Sequence, residues 1–437
     1  MDWEGKRICA LGLGRFGGQL AAIEYLARAG ADILVTDSGD PASLRDSLDR
    51  LADYPQVRVQ FRPQVEDDVQ DCDAVLVSPA ILPRHPCVQA AIAQKIPLLT
   101  EVGLFLEACP ARVIAISGTV GKSTTGAMLT HILRAGGLGV HFGGNIGSSL
   151  LLKLAEIHNE DFVVLELSSF QLHYLQAQSP RFIAAALTNL SPHHLEWHVS
   201  FENYRDAKAG LFAAQTRNDA AILPREVSGR EWPGEATRIY FSQVHFPEVP
   251  EHWPEHDCRN AAAALSIADW LGVDVAASRR ALHSYRGLPH RLQRLPNSLQ
   301  RIVINDSKAT SPMATQAALQ SLTGPGWLVL GGAKSADDTD ELLQSIVRCP
   351  HLRGVACMGP AGETLIEDLH ELSPQLQLGE AETLGEAWDW CWRHSADGDT
   401  LLLSPGFPSF NEFMHYEARG DCWEQLLRET EDEHRQA

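Results

Sequence analysis

The chain of 437 residues is 44% hydrophobic, which predicts packed globular domains, roughly two to four of them at the usual ~100–200 residues each. Its 36 basic residues face 56 acidic ones, a formal charge of −20, which argues against nucleic acid or an anionic membrane surface as the main partner because both repel an acidic protein. No uncharged run reaches the ~20 residues of a membrane span, no signal-peptide pattern follows "MDWEGKR", and the nine cysteines are scattered without a C-x-x-C pair, so a cytoplasmic protein with reduced thiols and no membrane insertion is expected.

From the N-terminus, the apolar runs "KRICALGLG", "ADILVTD" and "DCDAVLVSP" have strand length and alternate with helical patterns such as "GGQLAAIEYLARAG". The alternation predicts a parallel α/β unit over residues 1–108. Gly12, Gly14 and Gly17 spell G-x-G-x-x-G between the first strand and the first helix. Glycines there let the backbone turn tightly and approach a diphosphate at the helix N-terminus. Asp37 ends the next strand about 20 residues later, a position that often meets a ribose. The pattern does not choose NAD from a UDP-sugar.

A second series starts at "ARVIAISGT" and continues through "DFVVLELSS" and "FIAAALTNL" to the alanine-rich helix "NAAAALSIADWLG", predicting a central α/β domain over residues 109–285. Its first loop, "SGTVGKST", carries Gly118, Thr119, Gly121, Lys122, Ser123 and Thr124 between strand and helix. Successive backbone N–H groups in such a loop cradle an anion, Lys122 reaches outer phosphates, and Ser123 or Thr124 can ligate Mg²⁺. ATP or GTP is the expected ligand, although Ile116 stands where the full G-x-x-x-x-G-K-[ST] pattern has its first glycine. Glu166, at the end of "DFVVLELSS", is placed to hold a phosphate-bound Mg²⁺.

Next, "NLSPHHLEWH" supplies His193, His194 and His198. His194 and His198 could share a helix face, but without H-E-x-x-H or a third ligand a zinc hydrolase is disfavoured, and one histidine serving a phosphate-bound metal is preferred. "SFENYRDAKAGLF" then reads as a helix with Phe201 and Tyr204 on one side and Lys208 near the other; on pattern alone Lys208 is a solvated lysine. One mononucleotide loop and one dinucleotide-like loop suit a ligase, since a dehydrogenase has no use for the mononucleotide loop and a simple NTPase none for the dinucleotide-like one.

The third series, "RIVINDS", "GWLVLGG", "GVACMG" and "TLLLSPG", predicts a last α/β domain over residues 286–437. Together "GTVGKST", "ELSSFQL", "HHLEWH", "NYRDAK", "GLPHR", "NDSKAT" and "SPGFPSFNEF" resemble the Mur ligases of peptidoglycan synthesis, most closely their D-glutamate-adding branch. The likeness covers nearly the whole chain, in order and at compatible spacing. It implies a Rossmann-like N-terminal domain for a UDP-sugar, a central P-loop ATP-binding domain and a Rossmann-like C-terminal domain for an amino acid. The implied reaction activates the carboxylate of UDP-N-acetylmuramoyl-L-alanine with ATP as an acyl phosphate, which the amine of D-glutamate then attacks.

The same resemblance assigns residues. Gly14, Arg15, Phe16, Asp37, Ser78, Asn145, Ser168 and Gln171 would bind the UDP-sugar peptide; Asn260, Arg291 and Asp306 would join the loop around ATP. Lys308, Thr310, Ser409, Phe410 and Tyr416 would hold D-glutamate. Lys122, Glu166, His194 and Lys208 form the implied catalytic set, with Ser123, Glu166, His194 and Lys208 as Mg²⁺ ligands. Lys208 would serve as a CO₂-derived carbamate, because an unmodified amine has the wrong charge for a metal. The chain departs from the family pattern at Val120, Asp257 and Ser311, where asparagine is usual, and at His193 and Glu196, where aspartate is usual. A monomer is expected. The alternatives are a related ligase for another amino acid or acceptor and a non-catalytic nucleotide-sugar binding protein.

Overall fold

The computed structural model describes residues 2–14, 17–147, 149–242, 253, 255–334 and 338–436. They form three sheets in two compact units, residues 1–285 and 286–437.

The first sheet contains β1 (Arg7–Leu11), β2 (Asp32–Asp37), β3 (Val57–Phe61), β4 (Ala74–Val77) and β5 (Leu98–Leu99) in the order β3-β2-β1-β4-β5, all parallel. Strand order reverses between β1 and β4, and in such sheets a crevice opens beyond the carboxyl ends at that point. Gly12 and Gly14 leave β1 there and Ser78 leaves β4.

The second sheet holds β6 (Arg112–Ser117), β7 (Val140–Gly144), β8 (Phe162–Glu166), β9 (Ala184–Leu187), β10 (Ala220–Pro224) and β11 (Thr237–Phe241), again all parallel, in the order β11-β10-β9-β6-β8-β7. β8, β9 and β10 are buried throughout, as strands covered on both faces must be. The Lys122–Ala135 and Glu255–Trp270 helices pack on one face through Met128, Leu129, Ala261 and Ile267. On the other face a single apolar cluster runs from Ile8, Ile23 and Phe105 to Val113, Leu165, Phe212 and Trp232, so the first two sheets share one core. The Tyr174 hydroxyl donating to Ile81 O at 2.7 Å and Gln178 Nε2 donating to Gly103 O at 3.0 Å tie the same pair of sheets.

The second unit is built on β12 (Gln293–Leu295), β13 (Ile302–Asn305), β14 (Gly326–Gly331), β15 (Leu352–Met358), β16 (Gln377–Ala381) and β17 (Thr400–Gly406), in the order β12-β13-β17-β14-β15-β16. Only β12 is antiparallel to its neighbour. Among the described residues no helix is long and apolar enough to cross a membrane.

Candidate active site

The loop after β6 is shaped by glycine. Gly118 has φ 153° and Gly121 φ 83°, in the region that side chains avoid. A Cβ on Gly118 would strike Thr188 Oγ1, and one on Gly121 would strike Asn260 Oδ1. Gly121 is the N-cap of the Lys122–Ala135 helix and brings no side-chain cap, which leaves first-turn N–H groups for an anion. Lys122 Nζ donates to Gly118 O (3.1 Å) and Thr119 O (3.0 Å) of the same loop, and Ser123 is buried in the first turn.

Lys208 is not the solvated lysine its helical pattern suggests: it is 1% exposed. It lies four residues after Tyr204 on the Phe201–Ala209 helix, so the two share a face, and Nζ sits 4.7 Å from the Tyr204 ring centre. Nζ donates to Gly118 O (2.9 Å) and Ser117 Oγ (3.2 Å). Burial pushes its pKa well down, Lys122 nearby adds to that, and Glu166 opposes it. The amine is thereby driven toward its neutral, nucleophilic form.

Glu166 ends β8 next to β6 and is 3% exposed. Its Oε1 accepts from Asn145 Nδ2 at 3.2 Å, whereas Oε2 is buried with no hydrogen-bond partner. An orphaned buried carboxylate oxygen is costly in isolation and is what a divalent cation would satisfy. Mg²⁺ bound to nucleotide phosphates therefore fits Glu166 and Ser123 by donor chemistry. Among the described residues no group of three or more His, Cys, Asp or Glu is clustered to hold a metal alone.

His194 and His198 do not stand on one helix face, because His194 is the left-handed residue that precedes the turn. His194 has φ 53° and precedes a single-turn helix, Leu195–His198, with its ring against Phe170 at 4.6 Å and Nδ1 3.5 Å from Glu196 Oε1. His198 is buried, contacts Ser169 Oγ at 2.9 Å through Nε2, and is pushed by burial down to a pKa of about 4. His194 is thus the partly exposed member, also lowered by burial and by His193.

At the first sheet, Gly14 has φ 77° and a Cβ there would press on Gln19. Asp37, expected at a ribose, uses both carboxylate oxygens locally: Oδ2 accepts from Leu13 N and Oδ1 from Gly39 N, each at 2.7 Å. It holds the glycine loop against the end of β2. Ser78 Oγ accepts from Ala80 N at 3.4 Å. Arg15 and Phe16 lie outside the described residues. Ser168 caps the Ser169–Leu175 helix reciprocally with buried Gln171, whose Oε1 accepts from Ser168 N at 2.9 Å. Asn260, also buried, accepts from Thr125 Oγ1 at 3.4 Å.

In the second unit, Asp306 follows β13 and is buried, with Oδ1 accepting from Leu292 N (3.0 Å) and Oδ2 from Ser404 Oγ (2.8 Å). Burial raises its pKa to about 6, against the pull of these bonds and of exposed Arg291. Lys308 N donates to His290 O at 2.9 Å and its Nζ lies 5.8 Å from the Tyr416 ring centre; Thr310 N donates to Lys308 O at 2.9 Å. Ser409 is buried, while Phe410 is 62% exposed. Residues that sequence patterns did not single out also act here. Arg419 is fully buried and donates to Ser307 Oγ (3.0 Å), Ser307 O (2.9 Å) and Phe407 O (3.0 Å), stapling the loop after β13 to the one after β17. In the first unit Thr188, Asn189 and Ser117 border the 118–121 loop; the order of strands around β6, rather than any motif, identifies them.

Comparison with known proteins places three family models along the chain: a Mur ligase MurD-like N-terminal domain at residues 6–100, a Mur ligase middle domain at 116–265 and a Mur ligase glutamate ligase domain at 290–407. Curated relatives named UDP-N-acetylmuramoylalanine–D-glutamate ligase include one from Novosphingobium aromaticivorans, 35% identical over 97% of this chain and 94% of its own length. Another, from Rubrobacter xylanophilus, is 35% identical over 96% and 98%. Among solved structures, UDP-N-acetylmuramate-alanine ligase MurC from Thermotoga maritima matches 97% of this chain and 100% of its own with TM-score 0.57 and 18% identity, a likeness of fold. MurF from Acinetobacter baumannii matches 96% and 94% with TM-score 0.53 and 18% identity.

Proposed function

Because the chain belongs to the Mur ligase family, an ATP-dependent group of ligases, we propose that it joins D-glutamate to UDP-N-acetylmuramoyl-L-alanine during cytoplasmic synthesis of peptidoglycan precursors. The observation that carries the reading onto residues is the convergence of Lys122 and Lys208 on the carbonyl of Gly118, beside a Glu166 oxygen in need of a cation.

In this reading the glycine loop and the first-turn N–H groups hold the ATP phosphates, and Lys122 exchanges its loop carbonyls for phosphate oxygens. Glu166 and Ser123 hold Mg²⁺, which when bound neutralises phosphate charge so that a carboxylate can approach. The neutral Lys208 amine attacks the carbon of CO₂ and loses one proton to water, giving a carbamate anion that, with His194, suits a second Mg²⁺. The alanyl carboxylate oxygen then bonds to the γ-phosphorus and ADP leaves. The glutamate nitrogen attacks the acyl-phosphate carbonyl, phosphate leaves, and a proton goes to solvent. Gly14, Arg15, Phe16, Asp37, Ser78, Asn145, Ser168 and Gln171 serve the UDP-sugar peptide, Asn260, Arg291 and Asp306 serve ATP, and Lys308, Thr310, Ser409, Phe410 and Tyr416 serve glutamate.

The test is ATP-dependent phosphate release with UDP-N-acetylmuramoyl-L-alanine and Mg²⁺, comparing D-glutamate, L-glutamate and no amine, with product mass determined. Release with D-glutamate alone, and the matching mass, is expected. A second reading, the same acyl phosphate captured by a different amino acid, rests on Ser311, which begins the Pro312–Leu319 helix without a side-chain cap bond where the family pattern has asparagine. Release with another amine in place of D-glutamate would establish it.

A further inference from the structure

Val120 occupies the family's asparagine position in the nucleotide loop, yet its side chain is 64% exposed, so loop shape must come from elsewhere. It comes from the segment that leaves β9, the strand beside β6. Asn189 Oδ1 accepts from Val120 N at 3.0 Å while Asn189 Nδ2 donates to Val120 O at 2.8 Å, so one amide pairs both backbone groups of residue 120 as a neighbouring strand would. Thr188 Oγ1 donates to the same Val120 O at 2.6 Å. Around them, Thr119 N donates to Asn189 O (3.2 Å), Ser191 N to Thr119 Oγ1 (3.0 Å), and Thr119 Oγ1 to Ser191 O (3.2 Å).

We propose that Asn189 is a positioning residue for the nucleotide: its two-point grip on Val120 fixes the 118–121 backbone and thereby holds the uncapped first turn of the Lys122–Ala135 helix with its N–H groups toward the phosphates in advance. A tetrapeptide whose two glycines sit at positive φ and whose Val120 projects into solvent has competing conformations. Each conformation that turns an N–H outward reduces the binding-competent fraction and weakens apparent affinity in proportion. Asn189 acts on that fraction without touching the ligand. The same segment continues to His194, so the grip also sets the nucleotide loop in register with that histidine. The grip explains how Val120 is accommodated: Asn189, with Thr188, holds the backbone of residue 120, and its side chain faces solvent.

The proposal rests on the nucleotide reading of this loop, and the experiment separates the two. MgATP and UDP-N-acetylmuramoyl-L-alanine are titrated calorimetrically, each by itself, into the full wild-type chain, N189A and T188V. With two net hydrogen bonds lost, N189A should raise the Kd for MgATP about tenfold. T188V, which loses one donor to a carbonyl that Asn189 still serves and keeps its volume, should raise it about threefold. UDP-sugar affinity and Tm should stay at wild-type values, and in turnover KM for ATP should rise more than kcat falls. Wild-type MgATP affinity in N189A would overturn the proposal while leaving the nucleotide reading intact. Equal losses of both ligands with a lowered Tm would also overturn it, by making Asn189 merely structural. A wild-type chain that binds no MgATP would sink the nucleotide reading and the proposal together.

Discussion

The Lys208 amine donates to the Gly118 carbonyl at 2.9 Å, and Lys122 donates to that same oxygen at 3.1 Å. Burial lowers the pKa of Lys208 well below the ordinary lysine range, and the nearby Lys122 lowers it further.

Its pH behaviour follows. Between the lowered value and the ordinary ~10.4, the unfolded chain holds a proton that the folded chain lacks, so stability rises with pH across that window. K208M should remove that rise, read as Tm against pH. In ¹³C-bicarbonate the wild type should give a carbamate carbon signal that K208A lacks, and K208A should lose on the order of 10³-fold in kcat. A K208A enzyme of wild-type rate would end the carbamate reading.

Glu166 offers a sharper separation of activity from stability. E166Q keeps an acceptor for Asn145 but removes the buried charge on the unpartnered Oε2. The Mg²⁺ concentration for half-maximal turnover should climb and kcat fall roughly 10²–10³-fold, with Tm unchanged or higher because the chain no longer buries an unmet carboxylate. A magnesium titration superimposable on wild type would remove Glu166 from the metal.

Asp306 has the opposite sign from a salt-bridged carboxylate. With a folded pKa of about 6 against ~3.9 unfolded, the folded second unit retains a proton that the unfolded chain has released. Stability from this group therefore falls as pH rises from about 4 to about 6, by on the order of 3 kcal/mol in all. D306N should flatten that slope in denaturant melts at pH 4.5, 5.5 and 7; an unaltered slope would assign the titration to another group.

Arg419 holds three oxygens of two loops with one guanidinium. R419M leaves the buried Ser307 and Phe407 carbonyls without this donor, while Ser307 Oγ keeps its bond to Tyr416 O, at a cost of about 3 kcal/mol. Because the loops carry Lys308 and Ser409, KM for D-glutamate should rise severalfold in R419K, which keeps charge but loses the fork, while Kd for the UDP-sugar stays put. A glutamate KM equal to wild type in a folded R419K would leave Arg419 a packing residue only.

How much was legible follows sheet position. The strands read from sequence, β1, β2, β4, β6, β8, β9, β13, β14, β15 and β17, lie inside their sheets and form buried apolar runs. Those that escaped, β3, β5, β7, β11, β12 and β16, are edge strands, mostly short or half-exposed, where water relaxes the demand for apolar residues. β10 is the interior exception: Ala-Ala-Ile-Leu-Pro ends in proline and is brief. In the site, glycines and Glu166 announce themselves by following strands. Lys208 does not, because its burial depends on β6 and the helix from residue 201 meeting across about 90 positions of sequence. Asn189 and Arg419 are similarly silent, since each acts on backbone atoms of a distant loop.

The single core shared by the first two sheets bears on how the chain is born. Ile8 on the first sheet and Ile23 and Leu26 on the Gly18–Arg28 helix share their cluster with Leu165, Phe212 and Trp232, which are made much later. A ribosome adding roughly 5–20 residues per second leaves the first three without these partners for about ten seconds. During that interval the emerging segment is a half-built object with a greasy side, a natural client for a chaperone.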